Sequence, residues 1–435
     1  MSQNAILPYG RQSICEKDID AVVECLKADF LTQGPRVQSF EKALCEFTGA
    51  RFAVAVSSGT AALHLAYAAL GLGTNDMALV PAITFVATAN AAKMQGMRVA
   101  FVDVERDTAL ATGKMFKEVA DRIENSGKLL LAPVHMCGHP VDMRSIHRLA
   151  SDKNAFVVED ASHALGADYR VDGETYRVGQ CAHSNLAVTS FHPVKHITTG
   201  EGGAILTADE SLYERLMTLR SHGIHKDPSR FSWSAEDPMA GPWFYEMTEL
   251  GYNYRITDIQ CALGAQQLTR LPEFLERRRA LAARYDSFLA PLADFVVPLR
   301  RNEDCRHAYH LYVIQLVRRQ DESLEQLALR RKRLYLALRE RGILTQVHYI
   351  PVPWQPYYLS QHGAYFKTIA AHMEISDSNE HSDAVVVNKE ARQTMFESYP
   401  GAAEYYAASL SLPLFPAMSD GDITKVVEGI QAWVR

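Results

Sequence analysis

The stretch SFHPVKHITTGEGG carries one lysine, Lys195, just after the apolar run 186–191 and just before a turn rich in glycine at Gly200, Gly202 and Gly203. A strand end that breaks into a tight turn fixes a side chain and leaves it reachable, and an amine held that way can serve as nucleophile and proton carrier. A lysine in such a place can equally be a surface residue with its stem on the protein and its ammonium in water. Two further stretches bear on the choice. In AVSSGTAALHLAYAAL a strand ends at Ser57 and Ser58 and a helix opens near Ala61. The amides of Gly59, Thr60 and Ala61, with the positive end of the helix dipole behind them, then face the space above the strand, as a phosphate cradle does. The same residues would also make a plain N-cap. In FVVEDASHALGA, Asp160 falls just past a strand expected to be buried on both faces. An unpaired carboxylate there is costly or is driven neutral, so it needs a cation or a donor, unless it only caps the next helix.

The elements that must hold these residues are legible as short apolar runs at 52–56, 78–81, 99–102, 129–134, 156–158, 186–191 and 204–206, with helical patterns between them. Near-continuous apolar strands alternating with helices predict an α/β fold whose mostly parallel sheet is covered on both faces, with ligands beyond the carboxyl ends of its strands. The first helix is predicted after Ser13, where Ser13 and Glu16 have capping-box spacing, and its face of Ile19, Val22, Val23 and Leu26 is expected to lie on the body of the large domain. After Gly251 a charged helix is predicted over 271–292, a strand over 312–316, a helix near 324–341 and a strand near 345–349. This divides the chain into a large domain at 1–270, with an N-terminal arm, and a smaller C-terminal α/β domain at 271–435. A polar segment around 363–397 reads as a mobile surface insertion or an interaction loop.

Composition narrows the function classes. With 435 residues, 22% charged and a net charge of -6, the chain has no basic excess to hold a nucleic acid backbone. Its seven cysteines are scattered without a C-x-x-C pair, as in reduced cytoplasmic proteins. No run approaches the roughly 20 apolar residues of a spanning helix, and the first residues lack a signal-peptide pattern, so a cytoplasmic protein without membrane attachment is expected.

A phosphate cradle, a buried acid and a lysine on one edge of an α/β sheet are the three anchors of pyridoxal 5'-phosphate: phosphate, pyridine nitrogen and Schiff base. The motifs SSGTAALHLA, PAITFVATANAA, VEDASHALGA, SFHPVKHITTGEGG and GYNYRITDIQCALG occur in that order, and in this the chain resembles the sugar aminotransferases of the DegT/DnrJ/EryC1/StrS family. The resemblance implies the aspartate aminotransferase (type I) fold with a seven-stranded sheet. It also implies amination of a nucleotide-linked keto sugar with glutamate as donor. LPYGRQSI, FLTQG and GPWFYEMTELGYNYRITDIQCALG look most like the members that aminate C4 of UDP-4-keto-6-deoxy-N-acetyl-β-L-altrosamine on the route to pseudaminic acid.

Carried over by position, the resemblance makes Lys195 the Schiff-base lysine and proton shuttle, Asp160 the partner of the pyridine nitrogen and His163 the neighbour of the phenolic oxygen. Phe85 would stack on the ring, and Gly59, Thr60 and Ser190 would hold the phosphate. Asn253 would reach the phosphate of a neighbouring subunit, which implies a homodimer with shared sites. Substrate contacts implied in the same way are Tyr9, Asp29, Phe30, Leu31, Thr32, Arg255, His310, Leu311, Tyr312 and His348. On the residues alone, Asn253 and Arg255 also read as a polar turn, and His348 as a histidine that satisfies backbone groups.

Three other readings carry less weight. His135, Cys137 and His139 in HMCGH suggest a metal cluster, but no acidic ligand recurs at suitable spacing and a turn after a strand explains them, so no metal is expected. A sugar dehydratase of this family would have His in place of Lys195. A regulator built on the fold would need a DNA-binding segment, and no helix-turn-helix precedes Ser13. The remaining rival is a transaminase acting on another GDP-, dTDP- or UDP-linked keto sugar.

Overall fold

The computed structural model describes residues 6–123, 127–234, 237–361, 373–375, 385–387 and 389–435. A seven-stranded sheet forms its centre: β1 (Phe52–Val56), β2 (Met77–Pro81), β3 (Arg98–Val102), β4 (Leu129–Leu131), β5 (Phe156–Asp160), β6 (Leu186–Ser190) and β7 (Gly203–Thr207), in the spatial order β1-β7-β6-β5-β4-β2-β3. Six strands run parallel and β7 alone is reversed, pairing antiparallel with both β1 and β6. All seven apolar runs predicted from the sequence are strands of this sheet. The apolar pattern is continuous because helices cover both faces, so neither set of alternating side chains meets water.

In chain order the helices include α1 (Glu16–Leu26), α2 (Pro35–Thr48), α3 (Gly59–Ala69), α4 (Ala87–Met94), α5 (Gly113–Arg122), α6 (Met143–Lys153), α7 (Glu210–Arg220), α8 (Asp258–Leu289), α9 (Leu324–Glu340) and α10 (Asp420–Val434), with further ones at Pro356–Gln361, Lys389–Ser398 and Pro400–Ala408. Helix α3 is buried from Ala61 to Ala69, and its alanines let it lie close against the sheet. A second, smaller sheet of β8 (Val296–Pro298), β9 (Tyr312–Leu316) and β10 (Ser409–Leu412) pairs antiparallel in the order β8-β9-β10. Among the described residues there are two apolar cores, one around the large sheet and one formed by α8, α9, α10 and the small sheet. Leu7 joins the second core, tied by backbone bonds to Gly342 and Leu344.

Several local expectations are corrected. Helix α1 is capped two residues later than expected: Cys15 is the N-cap, and its amide donates to Asp18 Oδ2 at 2.8 Å. Its apolar face does not lie on the body either. The helix is held there through buried Asp18, which accepts from Gln267 and Arg270 of α8, while Ile19, Val23 and Leu26 are exposed. Helix α8 begins at Asp258 under a Thr257–Gln260 capping box, well before 271, and it runs through Pro272. Residues near 345–349 form no strand; Gln346 bridges Ser411 alone, and the chain then turns toward the large sheet. Most of 363–397 lies outside the described residues. The parts that are described form an antiparallel pair, Met373–Ile375 with Val385–Val387, and a helix at Lys389–Ser398.

Candidate active site

Because β7 is reversed, the carboxyl ends of β1, β5 and β6 share one edge of the sheet with the start of β7. A cavity of about 400 Å³ opens there. It is lined by Lys195, Asp160, His163, Gly59, Thr60, Phe85, Ser190, Tyr9, His310 and His348, all expected at the site from the sequence.

At the end of β1 the chain passes into α3, whose N-cap Ser58 accepts from the amide of Ala61 at 3.0 Å. A cap of this kind contributes about 1 kcal/mol and leaves the first amides of the helix turned outward. Close approach needs glycine here: a Cβ on Gly59 would meet Ser190 Cβ at 3.0 Å, and one on Gly203 would meet Ser58 O at 2.6 Å. Ser58, Gly59, Thr60 and Ser190 therefore form one compact wall of donors at the positive end of α3, suited to a dianionic phosphate.

Asp160 is only 5% exposed, and its two oxygens are engaged differently. Thr88 Oγ1 donates to Oδ2 at 2.7 Å, and the amide of Ser162 donates to Oδ1 at 3.1 Å. Thr88 is itself within 2.9 Å of Thr84 Oγ1. These donors fix the orientation of the carboxylate, which can accept from a protonated ring nitrogen. Lys195 reaches the same cavity half-buried, on the turn where its amide bonds His192 O. Burial pushes its pKa down to about 8, although the charge of Asp160 pulls the other way.

Four buried histidines surround the lysine. Burial, reinforced by the charge on Lys195, holds His163, His310 and His348 neutral, with His348 down to about 3. Burial and the Arg278 cation do the same for His196. His348 Nδ1 bonds Ser411 Oγ at 2.8 Å, which orients its ring beside Tyr9. Phe85, 54% exposed, stands at the mouth with Tyr349 at 5.8 Å between ring centres. Planar walls, a donor cradle, a buried carboxylate and a lysine fit pyridoxal 5'-phosphate in chemistry and in space.

Other expected residues lie elsewhere in this chain. Leu311 is buried in the large core. Tyr312 is buried in the small one, stacked on Tyr285 at 4.7 Å, with its hydroxyl donating to Asp286. Asp29, Phe30, Leu31 and Thr32 are exposed beyond α1, where Thr32 bridges Thr257. Asn253 is exposed and Arg255 half-buried, on a segment bridged to Ser221 and Val56. Sequence reading missed Thr84, Ser162, Glu201 and Tyr349 in the lining and Thr88 behind it. The i, i+4 spacing of Thr84 and Thr88 was the available signal; Glu201 and Tyr349 offered none.

The HMCGH stretch has a structural explanation. His135 Nδ1 accepts from the amide of Val141 at 3.0 Å, so its Nε2–H donates to Glu159 at 2.9 Å, both side chains being fully buried. Ser184 completes the pair by donating to the other oxygen of Glu159. His139 Nε2 instead accepts from the amide of Asn302, and burial lifts the Cys137 thiol to about 12. Among the described residues no group of three or more potential ligands could hold a metal ion. Among them, too, no helix is long and apolar enough to cross a membrane.

Comparison with known proteins agrees with this geometry. Residues 12–379 match the model of the DegT/DnrJ/EryC1/StrS aminotransferase family. The chain is 34% identical to the spore coat polysaccharide biosynthesis protein SpsC of Bacillus subtilis, over 100% of this chain and 98% of that protein. It is 38% identical to a UDP-4-amino-4,6-dideoxy-N-acetyl-beta-L-altrosamine transaminase of Campylobacter jejuni, over 80% of this chain and 84% of that protein. Among solved structures it is similar to Helicobacter pylori PseC, an aminotransferase involved in the biosynthesis of pseudoaminic acid, with a TM-score of 0.79 and 26% identity over 98% and 99% of the two chains. With the aspartate aminotransferase fold and the cavity described above, this chain belongs to the DegT/DnrJ/EryC1/StrS family and is a pyridoxal phosphate-dependent sugar aminotransferase.

Proposed function

We propose that the protein transfers the amino group of L-glutamate to C4 of a UDP-linked 4-keto-6-deoxy sugar, UDP-4-keto-6-deoxy-N-acetyl-β-L-altrosamine. The observation that carries the reading is the meeting of Lys195, Asp160 and the α3 N-terminus in one cavity; the altrosamine transaminase relatives support the choice of sugar. When bound, pyridoxal phosphate supplies an electron-withdrawing ring that takes an amino group from one substrate and yields it to another. Lys195 holds and moves the proton: with a pKa near 8 its amine is partly neutral at physiological pH and can accept a proton and return it. Asp160 keeps a ring nitrogen protonated, and the wall of Ser58, Gly59, Thr60 and Ser190 fixes the phosphate end so that the reacting carbon stays near Lys195.

The working form in this reading is a homodimer. Ile14, Ile19, Val23, Leu26, Phe30 and Leu31 form an exposed apolar strip on and beyond α1. Alternation in the GYNYR segment turns Tyr252 and Tyr254 inward, against His64, while Asn253 is exposed. A second copy seated on this side would cover the strip and receive Asn253.

A second reading has one specific observation in its favour: the match to the spore coat polysaccharide relative spans the whole chain, whereas the matches to the altrosamine transaminases span less of it. The substrate would then be another keto-sugar nucleotide for a surface polysaccharide. The deciding experiment is mass spectrometry of the purified protein incubated with glutamate, pyridoxal phosphate and the UDP-linked 4-keto sugar. Replacement of the ketone oxygen by an amine establishes the first reading. No conversion, with glutamate still aminating the cofactor, favours the second.

A further inference from the structure

Tyr349 lies 186 residues from His163 in the chain, yet its hydroxyl is 3.2 Å from His163 Nε2 at the cavity wall. His163 Nδ1, in contrast, is sealed from solvent and has no hydrogen-bond partner. The groups facing this ring are Lys195 and His196 on the turn after β6, His310 at 4.3 Å between ring centres, and His348 and Tyr349, with Asp160 lining the same cavity. A proton on Nδ1 would be a buried donor with nothing to receive it, whereas a proton on Nε2 meets the Tyr349 oxygen. The imidazole therefore carries its hydrogen on Nε2. Burial keeps the phenol of Tyr349 protonated, so its own hydrogen is left over once the oxygen has accepted from His163.

We propose that Tyr349 is a cofactor-contact residue: with its oxygen engaged by His163 Nε2–H, its hydroxyl donates into the cavity, where it holds the anionic oxygen of a bound pyridine ring. The inference rests on reading the cavity as the pyridoxal phosphate site. A hydroxyl polarised by a neighbouring N–H is a stronger donor, and a donor aimed at an anionic oxygen favours its charged form. Phe85 beside Tyr349 gives the flat apolar wall that a planar ring requires.

The test uses two measurements. Nitrogen-15 NMR of the labelled full-length protein, without and with pyridoxal phosphate, with the His163 signal assigned through His163→Gln, is expected to show the hydrogen on Nε2. In the cofactor-loaded Tyr349→Phe protein, the midpoint of the pH titration of the cofactor's absorption band is expected to rise by about one pH unit, as loss of a hydrogen bond to a charged oxygen requires. A hydrogen on Nδ1 in the unaltered protein, or an unmoved midpoint in Tyr349→Phe, overturns the proposal. Borohydride reduction of the loaded protein, followed by mapping of the modified peptide, tests the cofactor reading separately: label at any residue other than Lys195 would remove that reading and leave the NMR result standing.

Discussion

Thr88 Oγ1 donates to Asp160 Oδ2 at 2.7 Å across a gap of 72 residues in the chain, with both side chains buried. The hydroxyl leaves Oδ1 to the Ser162 amide and the cavity. Thr88→Val keeps the shape and removes the donor, which for a bond to a charged group amounts to about 1.5–3 kcal/mol. A drop in kcat/KM of about ten-fold or more is expected, together with a lower melting temperature. Unchanged kinetics would take Thr88 out of the positioning of Asp160.

Replacing Lys195 by Ala or Arg removes the amine proposed above to move the proton. Turnover is expected to fall by about 10²–10⁴-fold or more, the range for loss of a general acid–base. The phosphate wall is untouched, so equilibrium dialysis should still find the cofactor retained without a covalent bond.

Lys195 also makes stability depend on pH. Its pKa in the folded protein is about 8, down from 10.5, so between these values the unfolded chain binds more protons than the folded one. Stability of the cofactor-free protein should then rise with pH across that window, and below pH 8 the buried amine is a constant cost. Lys195→Met is expected to stabilise the cofactor-free protein by about 1–3 kcal/mol at pH 7, with the gain shrinking toward pH 10.5. Denaturant melts at several pH values check both sign and window.

The buried pair of His135 and Glu159 is structural in this account. Glu159→Ala leaves the buried imidazole N–H without its acceptor and should cost about 1–3 kcal/mol, read as a lowered denaturation midpoint. Dialysis against a chelator should leave activity of the loaded enzyme unchanged, since the HMCGH side chains are committed to other partners.

Charges on the exposed face of α1 test the dimer. Ile19→Asp combined with Leu26→Asp is expected to give monomers in sedimentation velocity and to lose activity with the cavity residues intact. Mixing inactive Lys195→Ala with inactive Asn253→Ala should restore activity, because one hybrid site then has both native residues; no recovery would mean that Asn253 is not shared between subunits.

What the sequence determined by itself was local. Each of the seven strands is a short apolar run because helices bury both faces of the sheet, so the pattern needs no knowledge of neighbours. Lys195, Asp160 and the Gly59–Thr60 turn each sit at a strand end, and in a parallel sheet strand ends converge on one edge, which is why three separate motifs could be read as one site. The tertiary structure decided what depends on distance. The α1 face looks like a core face by spacing alone, yet α8 takes the helix through Asp18 and leaves the apolar side free. Helix α8 starts ahead of Pro272 because its cap at Thr257 and packing on α2 outweigh a residue that disfavours helix interiors. The approach of Tyr349 to His163 and of Thr88 to Asp160 joins residues with no local signal for one another. Such contacts depend on how packed elements orient their side chains, which no periodicity records.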